Sequence, residues 1–535
     1  MPPSSGPCQR VPAFQSCLTG PCECRERTRE LKTLGGNADM RTSQNRRDFL
    51  KISGLGLAGT ALLSGAGTMP SRANGRGPAV TYGGGRPTRV IFLVSDGMSM
   101  GVPSLTEYFS RMVRGKGTHL TAMMENRSMA HGWMETHSLS GMVTDSAAAS
   151  CSWGAGARIL NNWVNMYPDG TKLDPILWLA KDAGYGTGLV TTATATHATP
   201  AGFASQIEHR NQQPGIAEQY VNKVDVVMGG GLPFFQAEER EDGMDLIGKY
   251  RENGYHVSYD RDDTLNAGGN EKILGLYADG HVPYTVDHIN DEELLAKVPT
   301  LAEMTKVALE SLDRHSPNGF IVQVEGARID HAAHTNDAAA LLWDQIAFDD
   351  AIGVALEYQR EHPDTLIVVT SDHGNSGPCL VHYAPAGDES FARLAYAKSS
   401  FHPTRAKLRE VANGNGVTPP GDVQDVVKEL LGIELSSTEA QYVSEMTGGD
   451  IPYVLNRTQR NFHGAFNAIL TNHNGIGWNS TSHTDEYVMV TASGPGKDRF
   501  QGLILNTDVF ETFTWVLGIR HRNKQMTQEQ AMALA

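Results

Sequence analysis

Three short apolar runs in this sequence each stop at an acidic residue. Val90–Val94 runs into Ser95, Asp96 and Gly97, Phe320–Val324 into Glu325 and Gly326, and Leu366–Thr370 into Ser371, Asp372, His373 and Gly374. If the runs are parallel strands, their carboxyl ends share one edge, and that edge is where open α/β sheets bind ligands. Carboxylates gathered there repel one another unless cations hold them. An Asp after a strand is more often a helix cap or a turn residue, and for any single one of the three that is the better reading. The set, with His373 adjoining, points to metal.

Other segments supply the donors that such a site needs. Residues 325–334 read EGARIDHAAH, so Asp330 and His334 stand at i, i+4 on one helical face, with His331 and His334 as a competing pair. His483 offers a further imidazole just before an apolar run. Residues 143–150 read VTDSAAAS, and the Ala-rich run predicts a helix with Ser146 in its first turn. Free N–H groups and the positive end of the helix dipole favour a phosphoryl group there. A hydroxyl is a poor nucleophile at its free pKa, but a neighbouring cation lowers that pKa. The commoner role of Asp145 or Ser146 in such a place is a helix cap. Residues 197–210, HATPAGFASQIEHR, add His197, Thr199 and Arg210. A guanidinium forks onto two phosphate oxygens, although alone Arg210 reads as a helix-end cation.

The elements that would position these residues alternate in type. Apolar runs at 90–94, 188–192, 224–228, 320–324, 366–370 and 487–491 read as central strands of a largely parallel sheet. Helix-like segments at 174–183, 301–313 and 338–358 lie between them, which argues for a three-layer α/β/α sandwich. The stretch 378–481 breaks the rhythm and reads as a cap-like insertion. Residues 236–299 read as a second excursion over the surface. The core is then 80–377 with 482–520.

The net charge of −15 gives no sign of nucleic-acid binding, so an enzyme seeking phosphate must concentrate positive charge locally. Residues 45–51, NRRDFLK, resemble a twin-arginine export motif, followed by a mildly apolar stretch to 69 and a small-residue cleavage candidate at 71–73. A signal peptide at 40–73 implies export to the periplasm or outside the cell and no lasting membrane span. Residues 1–39 do not belong before such a signal, which places the start of translation at Met40. Four of the six cysteines precede Met40, so Cys151 and Cys379 remain, too few for a disulfide framework.

Together these segments resemble the alkaline phosphatase family. The motifs are Asp96-Gly97-Met98, Thr144–Ala148, His197–Pro200, Glu325-Gly326 with Asp330 and His334, Ser371–Gly374, and His483-Thr484, in the family's order across nearly all of 88–520. The resemblance implies hydrolysis of small phosphate monoesters, with inorganic phosphate as product, through a phosphorylated Ser146. It implies one zinc ion on Asp330, His334 and His483, a second on Asp96, Asp372 and His373, and a magnesium ion on Asp96, Thr199 and Glu325. Arg210 would grip the phosphate, and Asp145, His197 and His331 would stand behind these residues. The resemblance also implies a homodimer, with 378–481 beside its interface.

A diesterase, sulfatase or mutase on the same sandwich is the nearest rival. Sulfatases want a modifiable Cys or Ser followed by x-Pro-x-Arg, whereas Ser146 is followed by three alanines. A non-catalytic metal- or phosphate-binding protein would need the ligands but not Ser146. For the export signal, mass spectrometry of the unprocessed product should find a first residue at Met40, and attached 1–39 peptides would refute that start.

Overall fold

A computed structural model describes residues 89–383, 386–452 and 456–535. The upstream extension and the export signal lie outside the described residues.

Ten strands form one sheet: β1 (Arg89–Ser95), β2 (Ala130–Met134), β3 (Gly186–Thr194), β4 (Val226–Gly230), β5 (Tyr255–Ser258), β6 (Lys272–Leu276), β7 (Phe320–Gly326), β8 (Thr365–Thr370), β9 (Val488–Ser493) and β10 (Gly502–Ile504). Their order is β10-β2-β9-β8-β1-β7-β3-β4-β6-β5. Every neighbouring pair is parallel except the two made by β9, which runs against β8 and β2. The sheet is therefore mixed but mostly parallel. Residues 487–491 read as one of the central strands of a largely parallel sheet; the strand is internal, begins at Val488 and runs antiparallel to both its neighbours. The larger departure lies in 236–299. That span supplies β5 and β6, which extend the sheet from β4. Runs of four and five residues among Gly and Asp carry too little periodicity to announce themselves.

Strand β1 explains the layering. Val90, Phe92 and Val94 enter one core, and Ile91 and Leu93 enter the other. A strand buried on both faces must be apolar throughout, as this one is. On the first face lie α1 (Ser146–Ala155) and α2 (Ala198–Ala204), where Trp153 meets Phe92 edge-on at 5.1 Å and Phe203 stacks on Phe92 at 5.6 Å. The second face carries α3 (Leu301–His315), α4 (Arg328–His334) and the long α5 (Ala338–Glu361). Helix α3 starts at a full capping box, Thr300 with Glu303, one residue before the apolar periodicity begins. These layers form the α/β sandwich.

Within 378–481 lie α6 (Phe401–Glu410), α7 (Pro420–Leu431), α8 (Ser437–Thr447) and α9 (Phe462–Asn474). They enclose a small core of their own, including Leu408, Val427, Val443 and Phe466. Ser400 and Phe401 tie this unit to the sandwich. The Phe401 N–H donates to Asp337 at 2.6 Å, and Ser400 donates twice to Asp287 at 2.7 Å.

Helices α1 and α2 approach so closely that a Cβ on Gly154 would stand 2.0 Å from the Gly202 carbonyl oxygen. Ser146 sits on one of these helices and Thr199 on the other, so their spacing sets part of the site. Gly154→Ala should lower unfolding free energy by about 1–3 kcal/mol, measured by urea denaturation, through overpacking. A neutral result would mean that the helix pair can separate freely.

Candidate active site

Parallel register assembles the acidic edge. Val94 of β1 lies opposite both Glu325 of β7 and Thr370 of β8, so Asp96, Glu325 and Asp372 reach the same end of three adjacent strands. Gly97 then turns with φ +71°, a left-handed conformation. A Cβ there would lie 2.9 Å from the Asp330 Cα, so glycine lets α4 close on this turn. Asp330 and His334 share a face of α4, as their spacing implies, and His334 Nε2 is 3.4 Å from Asp330 Oδ2. His483 arrives from the far end of the chain, where His483-Thr484 pairs antiparallel with Gly374-Asn375.

Three groups of donors result: Asp330, His334 and His483; Asp96, Asp372 and His373; and Asp96, His197 and Glu325. In the first, the His334 Nδ1–H donates to the Thr481 carbonyl and the His483 Nδ1–H to the Thr144 carbonyl, each at 2.9 Å. A carbonyl can only accept, so both rings carry their proton on Nδ1. Their Nε2 lone pairs therefore converge, 3.0 Å apart, beside the Asp330 carboxylate. That donor set suits a first-row metal ion.

Buried charge makes the same case at the other groups. Asp96, Glu325, Asp372 and Asp330 are at most 4% exposed. Among the described residues no Lys or Arg pairs with any of them. Burying one uncompensated carboxylate costs on the order of several kcal/mol. Both Asp96 oxygens, Glu325 Oε1, Asp372 Oδ2 and Thr199 Oγ1 are buried without a hydrogen-bond partner. Burial, with repulsion from Asp372, Asp330 and Glu325, lifts Asp96 well above the carboxylate range. Glu325 is pushed up to about 7, chiefly by burial, against the hydrogen bond from Thr191. For Asp330 burial is outweighed by the imidazoles of His334 and His483, which hold it below its usual range. Burial likewise loses to His373 at Asp372, which is held low, and the imidazole of His373 is raised in return. His483 is pushed down to about 4 by burial and by His373, so it is neutral and free to ligate.

His197 is not equivalent to these ligands. Arg210 donates to its Nε2 at 3.1 Å, and a guanidinium cannot accept, so the neutral ring carries its proton on Nδ1. The Thr199 hydroxyl lies beside Glu325. His331 stands outside the three groups, where the Arg328 guanidinium donates to its Nδ1 at 2.7 Å.

Ser146 opens α1 and is 2% exposed, its Oγ 3.2 Å from His373 Nε2. Asp145 takes the cap, accepting from the Ala148 N–H at 3.0 Å. Its other oxygen accepts from Arg210 Nη1 at 2.9 Å, which aims the guanidinium across the serine's helix end. The capping role that competed for Ser146 thus falls to its neighbour. Sequence patterns missed three residues here. Asn375, donating to Asp330 at 2.6 Å, stands two residues after His373 and was within reach. Thr191, donating to Glu325 at 2.5 Å, gave no signal within its strand. His281, 4.3 Å from the His331 ring, follows the unrecognised strand β6. Cys151 is buried and Cys379 exposed, both free.

A sequence profile of the alkaline phosphatase family matches residues 88–519. Alkaline phosphatase 4 of Bacillus subtilis (strain 168) is 30% identical over 431 residues, covering 78% of this chain and 86% of its own. Streptomycin-6-phosphate phosphatase of Streptomyces griseus is 32% identical over 354 residues, covering 58% and 79%. The crystal structure of Thermus thermophilus alkaline phosphatase superposes with a TM-score of 0.77 at 32% identity, covering 84% of this chain and 95% of that one.

Asp96 belongs to two donor groups and His334 to one. Asp96→Asn should therefore lose more bound divalent cation than His334→Ala, read by elemental analysis of the purified proteins. Equal losses would mean that Asp96 is not shared.

Proposed function

The chain belongs to the alkaline phosphatase family, and within it we propose that Ser146 is the nucleophile of a two-step hydrolysis that uses two zinc ions and one magnesium ion. The protein is a phosphate-monoester hydrolase. One zinc ion is assigned to Asp330, His334 and His483, the other to Asp96, Asp372 and His373, and magnesium to Asp96, Thr199 and Glu325. The converging Nε2 lone pairs and the partnerless buried oxygens support this assignment. Bound there, the cations lower the pKa of a serine hydroxyl and neutralise charge on the entering and leaving oxygens.

The observation that carries the reading is the position of Ser146 Oγ, at the start of a ten-residue helix and 3.2 Å from His373. The hydroxyl gives its proton to solvent, and Oγ bonds to phosphorus as the ester P–O bond breaks. The departing alcohol takes a proton from water. Water then cleaves the Oγ–P bond, restoring the serine and releasing inorganic phosphate. Two in-line displacements retain configuration at phosphorus. Arg210 holds two phosphate oxygens, with Asp145 keeping its fork in place, while the free N–H groups of α1 face the same anion. His197 and His331 act from behind by positioning.

The remaining architecture follows the same reading: a core of 80–377 with 482–520, an insertion at 378–481, export by the signal at 40–73, and a homodimer. The order of the signal's regions supports export, and the family supports the dimer. Among the described residues no helix is long and apolar enough to cross a membrane.

Ser146→Ala should keep its metal content and lose turnover of an aryl phosphate by at least about a thousandfold, the scale of removing a nucleophile. Acid-quenched wild-type enzyme should yield a phosphoserine peptide containing residue 146. Chelation should abolish turnover, and zinc with magnesium should restore it. Unchanged turnover in the alanine variant would overturn the assignment.

A further inference from the structure

A second cluster of donors, with Arg328 as its cation, borders the phosphoryl site, and apart from His331 it plays no part in the steps above. Arg328, at the start of α4, lies flat on the Tyr284 ring, its guanidinium carbon 3.6 Å from the centroid. It has no ion pair among the described residues, and its Nε is buried without a partner. Asp287 and Asp344 feel its charge, but both spend their oxygens elsewhere. Asp287 accepts from Ser400, and Asp344 accepts from Thr285.

The neighbouring imidazoles are donors as well. Arg328 donates to His331 Nδ1 at 2.7 Å, and the Thr194 N–H donates to His281 Nδ1 at 3.1 Å. Each ring therefore carries its hydrogen on Nε2. The two rings lie 4.3 Å apart, and both are partly open to solvent. Exposed His402 of α6 faces the same Tyr284 ring at 6.2 Å, and Arg405 lies one turn further along that helix. A guanidinium with two imidazole N–H groups beside it forms a surface that binds oxyanions. His197 joins it to the phosphoryl site, since Arg210 donates to that ring and His331 lies 5.4 Å beyond it. The cluster thus lies next to the phosphate grip, displaced from it by two imidazoles.

We propose that Arg328, with His281 and His402, is a second anion subsite that holds a phosphate or carboxylate on the leaving portion of the substrate. It rests on the phosphatase reading and names the class of ester preferred: one whose alcohol carries its own negative group. The insertion takes part through His402, so α6 contributes to substrate choice.

The test compares bisphosphates of straight-chain diols, three to six carbons long, with the matching monophosphates, using the metal-loaded enzyme. For at least one chain length, kcat/KM for the bisphosphate should exceed that for the monophosphate by about tenfold, the scale of one charge-assisted hydrogen bond. The excess should lie in KM. Arg328→Gln should reduce the ratio to the statistical preference for two equivalent esters, and Arg328→Lys should keep part of it. A wild-type ratio at the statistical value for every length would overturn the subsite. So would an Arg328→Gln variant that slows both esters by the same factor. Failure of the wild-type enzyme to cleave any of them would refute the phosphatase reading itself, and the subsite with it.

Discussion

Four buried carboxylates share one pocket at the carboxyl ends of parallel strands β1, β7 and β8, and most of the molecule can be read as the means of tolerating that. Asp96, Glu325, Asp372 and Asp330 are buried, and among the described residues no Lys or Arg pairs with them. Such an arrangement is stable only when positive charge is supplied from within the pocket. The register of β1, β7 and β8 puts the acids side by side, and Gly97 lets α4 add the fourth. The imidazoles of His334, His373 and His483 then interleave, His373 stacking on His483 at 3.6 Å. A net-acidic protein can thereby present a cationic centre to an anionic substrate once the pocket is loaded.

Much of this was legible in the sequence because the acids sit at strand ends. A continuous apolar run marks a strand buried on both sides, so the residue after it is tied to a known edge. Asp96, Glu325 and Asp372 were found in that way. The i, i+4 spacing of Asp330 and His334 was legible for the same kind of reason, since a helix fixes which residues share a face. Ser146 was not separable from Asp145 by local pattern. Both suit a helix start, and only the bonds from Ala148 and Arg210 to Asp145 distinguish the cap from the hydroxyl that is left facing His373.

What escaped the sequence escaped for physical reasons. Strands β5 and β6 lie at the sheet's margin, where four or five residues suffice and propensity is weak. With them went His281, which follows β6 and meets His331 only through the fold. The direction of β9 was equally hidden, because an internal strand is apolar whichever way it runs. Arg328 sat in plain view between Glu325 and Asp330, but a guanidinium two residues before an Asp carries no pattern. Its significance depends on Tyr284 beneath it and on its having no ion pair among the described residues.

The antiparallel pairing that delivers His483 has a consequence for the order of folding. Asp96 is near the start of the described chain and His483 near its end, so the first and last members of the donor groups are almost four hundred residues apart. Contacts of such separation close late, because the intervening loop entropy must be overcome first. Until residues 483 and 484 seat against 374 and 375, Asp330 lacks one of its imidazoles and the pocket holds its full complement of acids. A chain shortened before His483 would be left with Asp330 short of one imidazole in an acidic pocket.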